Sequence, residues 1–142
     1  MTLTLAHART IVAAALEKAA ELGLKPLTVA VLDAAGDLIA LERQDGASPL
    51  RPAIAIGKAN GAVQLGLGSR ALMSRAESQP FFIQSMNALC NGSLVPVPGG
   101  VLVRGEGGRI IGAVGITGDT SDNDETAAIA GIAAANLTAD AG

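Results

Sequence analysis

The sequence predicts an α+β domain in which two antiparallel β-hairpins form one sheet and helices cover it. Three observations carry that expectation. Residues 5 to 22 place Leu5, Ala8, Val12, Ala15, Ala19 and Leu22 three and four apart, the spacing of one apolar helical stripe. Two β-rich runs, 27–41 and 101–116, are each folded back on themselves by a turn containing glycine. Between and after them lie alanine-rich stretches with helix start and stop signals.

In chain order, Thr4 is suited to cap the first helix and Gly23, ahead of Lys25-Pro26, to end it. His7 falls at the third helical position, where a capping box has Glu. Leu27–Leu32 reads as a strand, Asp33–Asp37 as a turn and Leu38–Leu41 as the returning arm. A second helix is expected from about Pro52. Its interior carries one charge, Lys58, and two glycines four apart, Gly57 and Gly61, which point to close packing against another backbone. Gly66-Leu67-Gly68 breaks it, and Ser69 is placed to cap a short third helix bearing Arg70 and Arg75. A further helical segment runs from Pro80 to Leu89 and closes at Asn91-Gly92. Pro96 and Pro98 keep residues 95–98 at an edge or outside the sheet. The second hairpin is Val101–Val103 and Arg109–Ile116, turning through Gly105–Gly108. Asp122, with Glu125 three residues on, is expected to cap a last helix reaching about Asn136, followed by a short tail. This order of elements is that of a profilin-like or PAS-like sheet with flanking helices, in one domain over residues 1–142.

Composition narrows the function classes. Hydrophobic residues make up 49% and charged residues 16%, a surface so sparsely charged that subunit contacts, and hence a homo-oligomer, are expected. With a net charge of −3 and only Phe81 and Phe82 as aromatics, the chain lacks the basic groove and stacking platforms of a nucleic-acid binder. No run approaches the ~18 apolar residues of a membrane-spanning helix, and no signal peptide is evident. A single cysteine, Cys90, fits a reducing compartment, so a cytoplasmic location is expected.

The chemistry-bearing residues gather around 96–125. Gly99 and Gly100 read either as a turn that lets a ligand approach the backbone or as a hinge feeding a strand. Gly112, Gly115 and Gly118 thin the second arm of the late hairpin, for a ligand or for a tightly packed helix such as the one carrying Gly57 and Gly61. Asp122, Asp124 and Glu125 suit the dipole of the last helix, whereas Asp119 is left unexplained; Thr120 adds a hydroxyl there. Spacing for a calcium loop or a zinc site is absent. Lys58 reads as a rim lysine snorkelling to solvent or as a ligand-binding cation, with Arg51 as a second carboxylate partner. His7 is the only imidazole and the candidate metal ligand, against the plainer reading of a surface histidine. Met86 and Cys90 suit either soft-metal ligation or a core.

These segments together resemble the GlcG/HbpS-like family of small bacterial domains, which includes the C-terminal domain of PduO-type proteins. The resemblance is carried by Leu3-Thr4-Leu5-Ala6, by the run from Val29 through Asp37-Leu38, and by Leu41-Glu42-Arg43-Gln44-Asp45-Gly46. It continues in the segment Ala55 to Ala59, in Pro98-Gly99-Gly100-Val101, in Ile111 to Ile116, and in Gly118 to Glu125. It spans nearly the whole chain in collinear order. It implies a profilin-like fold, symmetric oligomers and, for several members, haem binding with a histidine of the N-terminal region as axial ligand. His7 is the only match for that role, and it stands where the family commonly has the capping glutamate.

Two functions follow as expectations. One is a small-ligand-binding domain, with haem or another tetrapyrrole as the candidate cofactor, whose pocket is walled by Gly99-Gly100, the Lys58 helix and Gly118-Asp119-Thr120. The other is a cofactor-independent enzyme acting on a carboxylated metabolite. There Arg51 or Lys58 would bind the carboxylate, Asp119 or Glu125 would move a proton, and Lys58 would count among the catalytic groups.

Overall fold

A computed structural model describes all of residues 1–142. Five helices flank a five-stranded sheet in which every neighbouring pair is antiparallel. Helix α1 spans Leu5–Leu22, and β1 (Thr28–Asp33) and β2 (Leu38–Arg43) form the first hairpin. Three helices follow: α2 (Arg51–Leu65), α3 (Ser69–Ser78) and α4 (Pro80–Leu89). The second hairpin is β3 (Gly100–Arg104) and β4 (Ile110–Thr117). Helix α5 (Ser121–Ala134) and a short β5 (Thr138–Asp140) complete the chain.

The strand order is β2-β1-β4-β3-β5. Each expected hairpin forms, and the two join through β1 and β4, which makes β4 central and buries all of it but its first residue. The stretch read as a tail instead pairs Thr138, Ala139 and Asp140 with β3 and closes that edge. Three residues are too few for a pattern of period two to show, so no signal in the sequence marked it.

Alternation along the strands divides the core into two layers. On one face Val29, Val31, Val101, Val103, Val114 and Ile116 pack against Ile11, Val12 and Ala15 of α1 and Ala128 and Ile132 of α5. On the other, Leu32, Leu102 and Ala113 meet Ala59 and Ala62 of α2. A third, smaller cluster lies under α3 and α4, where Leu72, Ile83 and Leu94 enclose the flanks of Met86 and Cys90; both sulfur residues are packing groups here.

Two helix starts differ from expectation. Gly68, not Ser69, stands at the N-cap of α3, because the buried Ser69 hydroxyl is committed to accepting the Gly100 N–H at 2.7 Å. Thr120, not Asp122, caps α5: its Oγ1 accepts the Asn123 N–H at 3.2 Å. Thr4 caps α1 as expected.

Candidate functional site

The residues singled out around 96–125 do converge, but on a filled space. Gly99 adopts φ +121°, and a Cβ there would lie 2.5 Å from the Ile116 carbonyl oxygen and 2.9 Å from Lys58 Nζ. A Cβ on Gly100 would overlap the Lys58 carbonyl, and one on Gly118 the Pro26 carbonyl. These glycines are therefore close backbone approaches within the fold. Gly115 serves α2 in the same way, its Cβ position falling on the Ala55 carbonyl. Gly57 and Gly61 instead receive Val95 and Leu94, the segment that leads into β3.

Lys58 occupies the space between them. Its side chain is 3% exposed, so it is not the rim lysine that its isolation on α2 suggested. The ammonium donates to Ile116 O at 2.9 Å and to Asp124 Oδ2 at 3.2 Å, and Asp124 Oδ1 accepts the Asp119 N–H at 3.0 Å. Asp124, expected as a solvated first-turn acid, is 1% exposed. Burial pulls the Lys58 ammonium below its usual value, against the attraction of Asp124, and the Arg51 charge adds to the lowering. Burial likewise pushes the Asp124 carboxyl up, against the Lys58 charge and the Asp119 N–H. The pair ties α2, β4 and the start of α5 together. Sequence reasoning missed it because its partners lie 66 residues apart. One available signal was a lone charge on an otherwise uncharged helix, which needs a counter-charge once buried.

The surrounding candidates are engaged in similar ways. Asp119 accepts from the Asn123 amide at 2.7 Å, the Lys25 N–H at 2.9 Å and the Thr120 N–H at 2.8 Å. Those donors, the Asn123 amide foremost, hold its carboxyl down at about 2. Glu125 does not close a capping box; it accepts from Arg70 Nε at 3.0 Å, and the same guanidinium reaches Asp122. Thr120 is the helix cap, with its side chain at the surface. Arg51 donates through Nη1 to Thr117 Oγ1 at 2.7 Å.

His7 stands apart from this cluster, in the first turn of α1. Its backbone N–H donates to Thr4 Oγ1 at 3.1 Å, and its Nδ1 accepts the Thr4 N–H at 3.2 Å. The imidazole thus performs the reciprocal half of a capping box that Glu usually supplies. Nε2 has no protein partner.

Comparison with known proteins decides the relationship. A family model described as "Haem degrading protein HbpS-like" matches residues 3–133. The chain belongs to the HbpS-like family. Among solved structures it is similar to a PduOC–haem complex, with 27% identity over 96% of this chain and 97% of that one and a TM-score of 0.85. It is also similar to the Klebsiella pneumoniae protein ORFY, with 26% identity over 96% of this chain and 92% of that one and a TM-score of 0.85. A double mutant of Streptomyces reticuli HbpS shares 30% identity over 94% of this chain and 86% of that one, with a TM-score of 0.79. No curated protein sequence matches.

For an HbpS-like chain, the residues can be tested against haem. Because Nδ1 of His7 accepts a hydrogen bond, the neutral ring carries its proton on Nε2. Iron ligation at Nε2 needs that proton gone and the other nitrogen protonated, which removes the Thr4 bond. The loss is that of one helix-cap contact, about 1 kcal/mol, small beside a metal–ligand bond. His7 therefore fits the group, on condition of a tautomer change. A cavity of about 360 Å³ lies where the chain approaches α1, lined by Met1, Leu3, Ile110 and Ile111 with Arg109 and Asp33 at its polar side. That size is within the range of small-molecule sites. No group of three or more His, Cys, Asp or Glu residues is arranged to hold a metal ion, and no helix is long and apolar enough to cross a membrane.

Proposed function

We propose that this chain is a small-ligand-binding domain whose ligand is haem or a related tetrapyrrole, with His7 Nε2 as the axial ligand. One observation carries the reading. The sole imidazole of the chain stands half-buried in the first turn of α1 with Nε2 free of protein partners, in a chain similar over 96% of its length to a haem complex. Haem, when bound, supplies an iron whose electronic properties its axial ligand tunes. The chain would contribute the imidazole; the cavity of Met1, Leu3, Ile110 and Ile111, with Arg109, is a separate pocket that His7 does not line. Binding is favoured over turnover because Lys58, Asp119 and Glu125 are each spent on contacts that hold the fold. The homo-oligomer expected from the low charge belongs to this proposal, supported by exposed apolar side chains on α4, Phe81 at 82% and Leu89 at 76%.

Haemin titration tests it. A saturable Soret shift is expected, weakened by His7→Ala. His7→Glu separates the two roles of the residue, since Glu restores the capping box but cannot replace a neutral imidazole on iron; the helix should be as stable as in the native chain while the Soret shift is lost. Absence of any saturable shift in the native chain would remove the haem assignment.

A further inference from the structure

The N-terminal end of α2 brings together groups to which haem ligation at His7 gives no task. Arg51 is tied through Nη1 to the Thr117 hydroxyl and makes no ion pair, so its Nε–Nη2 edge faces no carboxylate. Thr117 lies directly opposite Thr28 in the β1–β4 ladder, so the two side chains project from the same face at neighbouring positions. Gly115, two residues before Thr117, abuts Ala55, so this is the face that α2 covers. Thr28 is fully buried, and its Oγ1 has no hydrogen-bond partner. Such a desolvated, unpaired hydroxyl is unfavourable and calls for an explanation. On the other side of Thr28 the ladder places Arg43, which reaches Ala47 O and likewise makes no ion pair. Helix α2 begins with no side-chain cap, Pro52 has no N–H to offer, and the Ala53 N–H has no protein acceptor. The positive end of a 15-residue helix is thus left open at the same corner.

We propose that this corner is a binding site for one carboxylate group, held by Nη2 of Arg51 beside the Nη1–Thr117 bond, with the Thr117 and Thr28 hydroxyls completing its hydrogen bonds. A singly charged carboxylate matches the one unbalanced charge of Arg51 and offers oxygens to Nη2 and the two hydroxyls together. The two nearby acids do not fill the place: Asp124 is taken by Lys58, and Asp119 by Asn123, Lys25 and Thr120. Thr117 accepts from Arg51 and so keeps its own proton to donate; Thr28 has one to donate as well. The Arg51 charge opposes the Lys58 ammonium, a repulsion that a bound anion offsets.

The carboxylate belongs either to a free small acid or to an acidic arm of a tetrapyrrole, and the experiment separates these sources. Sodium malonate is titrated into the ligand-free full chain and followed by amide shifts, with sodium phosphate at matched ionic strength as a second arm. Saturable malonate shifts are expected at Thr28, Ala53 and Thr117, tighter than for phosphate. Arg51→Gln and Thr28→Val should each weaken malonate binding about tenfold, the equivalent of one charge-assisted hydrogen bond, while Arg9→Gln, at an exposed position of α1, leaves it unchanged. Thr28→Val is close in shape, so folding is retained. If that variant is more stable and binds malonate as the native chain does, the hydroxyl is only a packing defect and the site is overturned. Equal or tighter phosphate binding overturns the carboxylate assignment. A parallel titration with haemin and its dimethyl ester assigns the source: if Arg51→Gln weakens only haemin, an acidic arm occupies the site; if neither changes while malonate binding is lost, a free acid does. Malonate binding is read without haemin, so its failure is distinct from a failure of the haem reading.

Discussion

On the α1 and α5 side of the sheet, Val29, Val31, Val114 and Ile116 interlock with Ile11, Val12 and Ile132, and nothing polar enters. On the α2 side, a smaller apolar cluster of Leu32, Leu102, Ala113, Ala59 and Ala62 is joined by direct backbone contact. Gly115 and Gly100 let α2 lie so close that a methyl group would strike a carbonyl, and the enclosed side chains include Lys58, Asp124, Thr28 and Thr117. The first face gains its stability from apolar area removed from water. The second buries a smaller apolar cluster and depends in addition on each buried polar group finding a partner. The first face should tolerate exchange of one aliphatic residue for another; the second, with its backbone contacts and buried polar groups, should not.

The Lys58–Asp124 pair offers the largest test of that difference. Lys58→Met leaves a buried carboxylate with no counter-charge and is expected to lower stability by about 3–5 kcal/mol in denaturant unfolding. Lys58→Met combined with Asp124→Leu should recover most of the loss, short of what the Ile116 carbonyl and the Asp119 N–H lose as partners. A double variant as unstable as the sum of the single ones would show that the two charges are not coupled and that each side chain acts through its separate partner, the Ile116 carbonyl for Lys58 and the Asp119 N–H for Asp124. No residue on the α1 face should behave in this way.

Next come substitutions of opposite sense on the two faces. Ile11→Ala leaves a cavity among aliphatic neighbours and should cost about 2–5 kcal/mol. Gly115→Ala adds one methyl group against the Ala55 carbonyl, which cannot yield without moving α2, and should cost about 3 kcal/mol. Gly115→Ala with native stability would mean that α2 lies farther from the sheet than its backbone contacts require.

This contrast also explains what the sequence showed and what it hid. Helix α1 was legible to the residue because its stripe, Thr4 and Gly23 all act within a few positions of one another. The hairpins were legible for the same reason. Lys58, Asp124, Ser69 and Thr28 were not, because their meaning depends on partners or gaps across the sheet that no local pattern encodes. Even the glycine signal was half readable: it announced close approach, and only the fold shows that the neighbours are Ala55, Lys58 and Pro26 of the same chain, with no room left for a ligand against those glycines. The sole imidazole was identified as a candidate ligand, while its capping bond appears only when Thr4 and His7 are seen together.

The smallest effect concerns acid stability, where two acids of one loop act in opposite directions. Asp119 has a carboxyl held at about 2 rather than 3.8, so the folded chain binds its proton less readily than the unfolded one. Its contribution is complete above 3.8 and is lost as pH falls from there toward about 2. Asp124 has the reverse shift, raised by burial, so the folded chain takes up its proton more readily and its contribution grows as pH falls through the raised value toward 3.8. On acidification Asp124 therefore acts first, in favour of the fold, and Asp119 acts later, against it. Asp119→Asn should flatten the stability curve between 3.8 and about 2 while leaving its shape above 3.8 unchanged. Denaturant midpoints measured across that range provide the check. Parallel curves for the variant and the native chain would show that the three donors to Asp119 position the loop without favouring its charge, and would leave the buried pair as the one place in this loop where protonation and folding are linked.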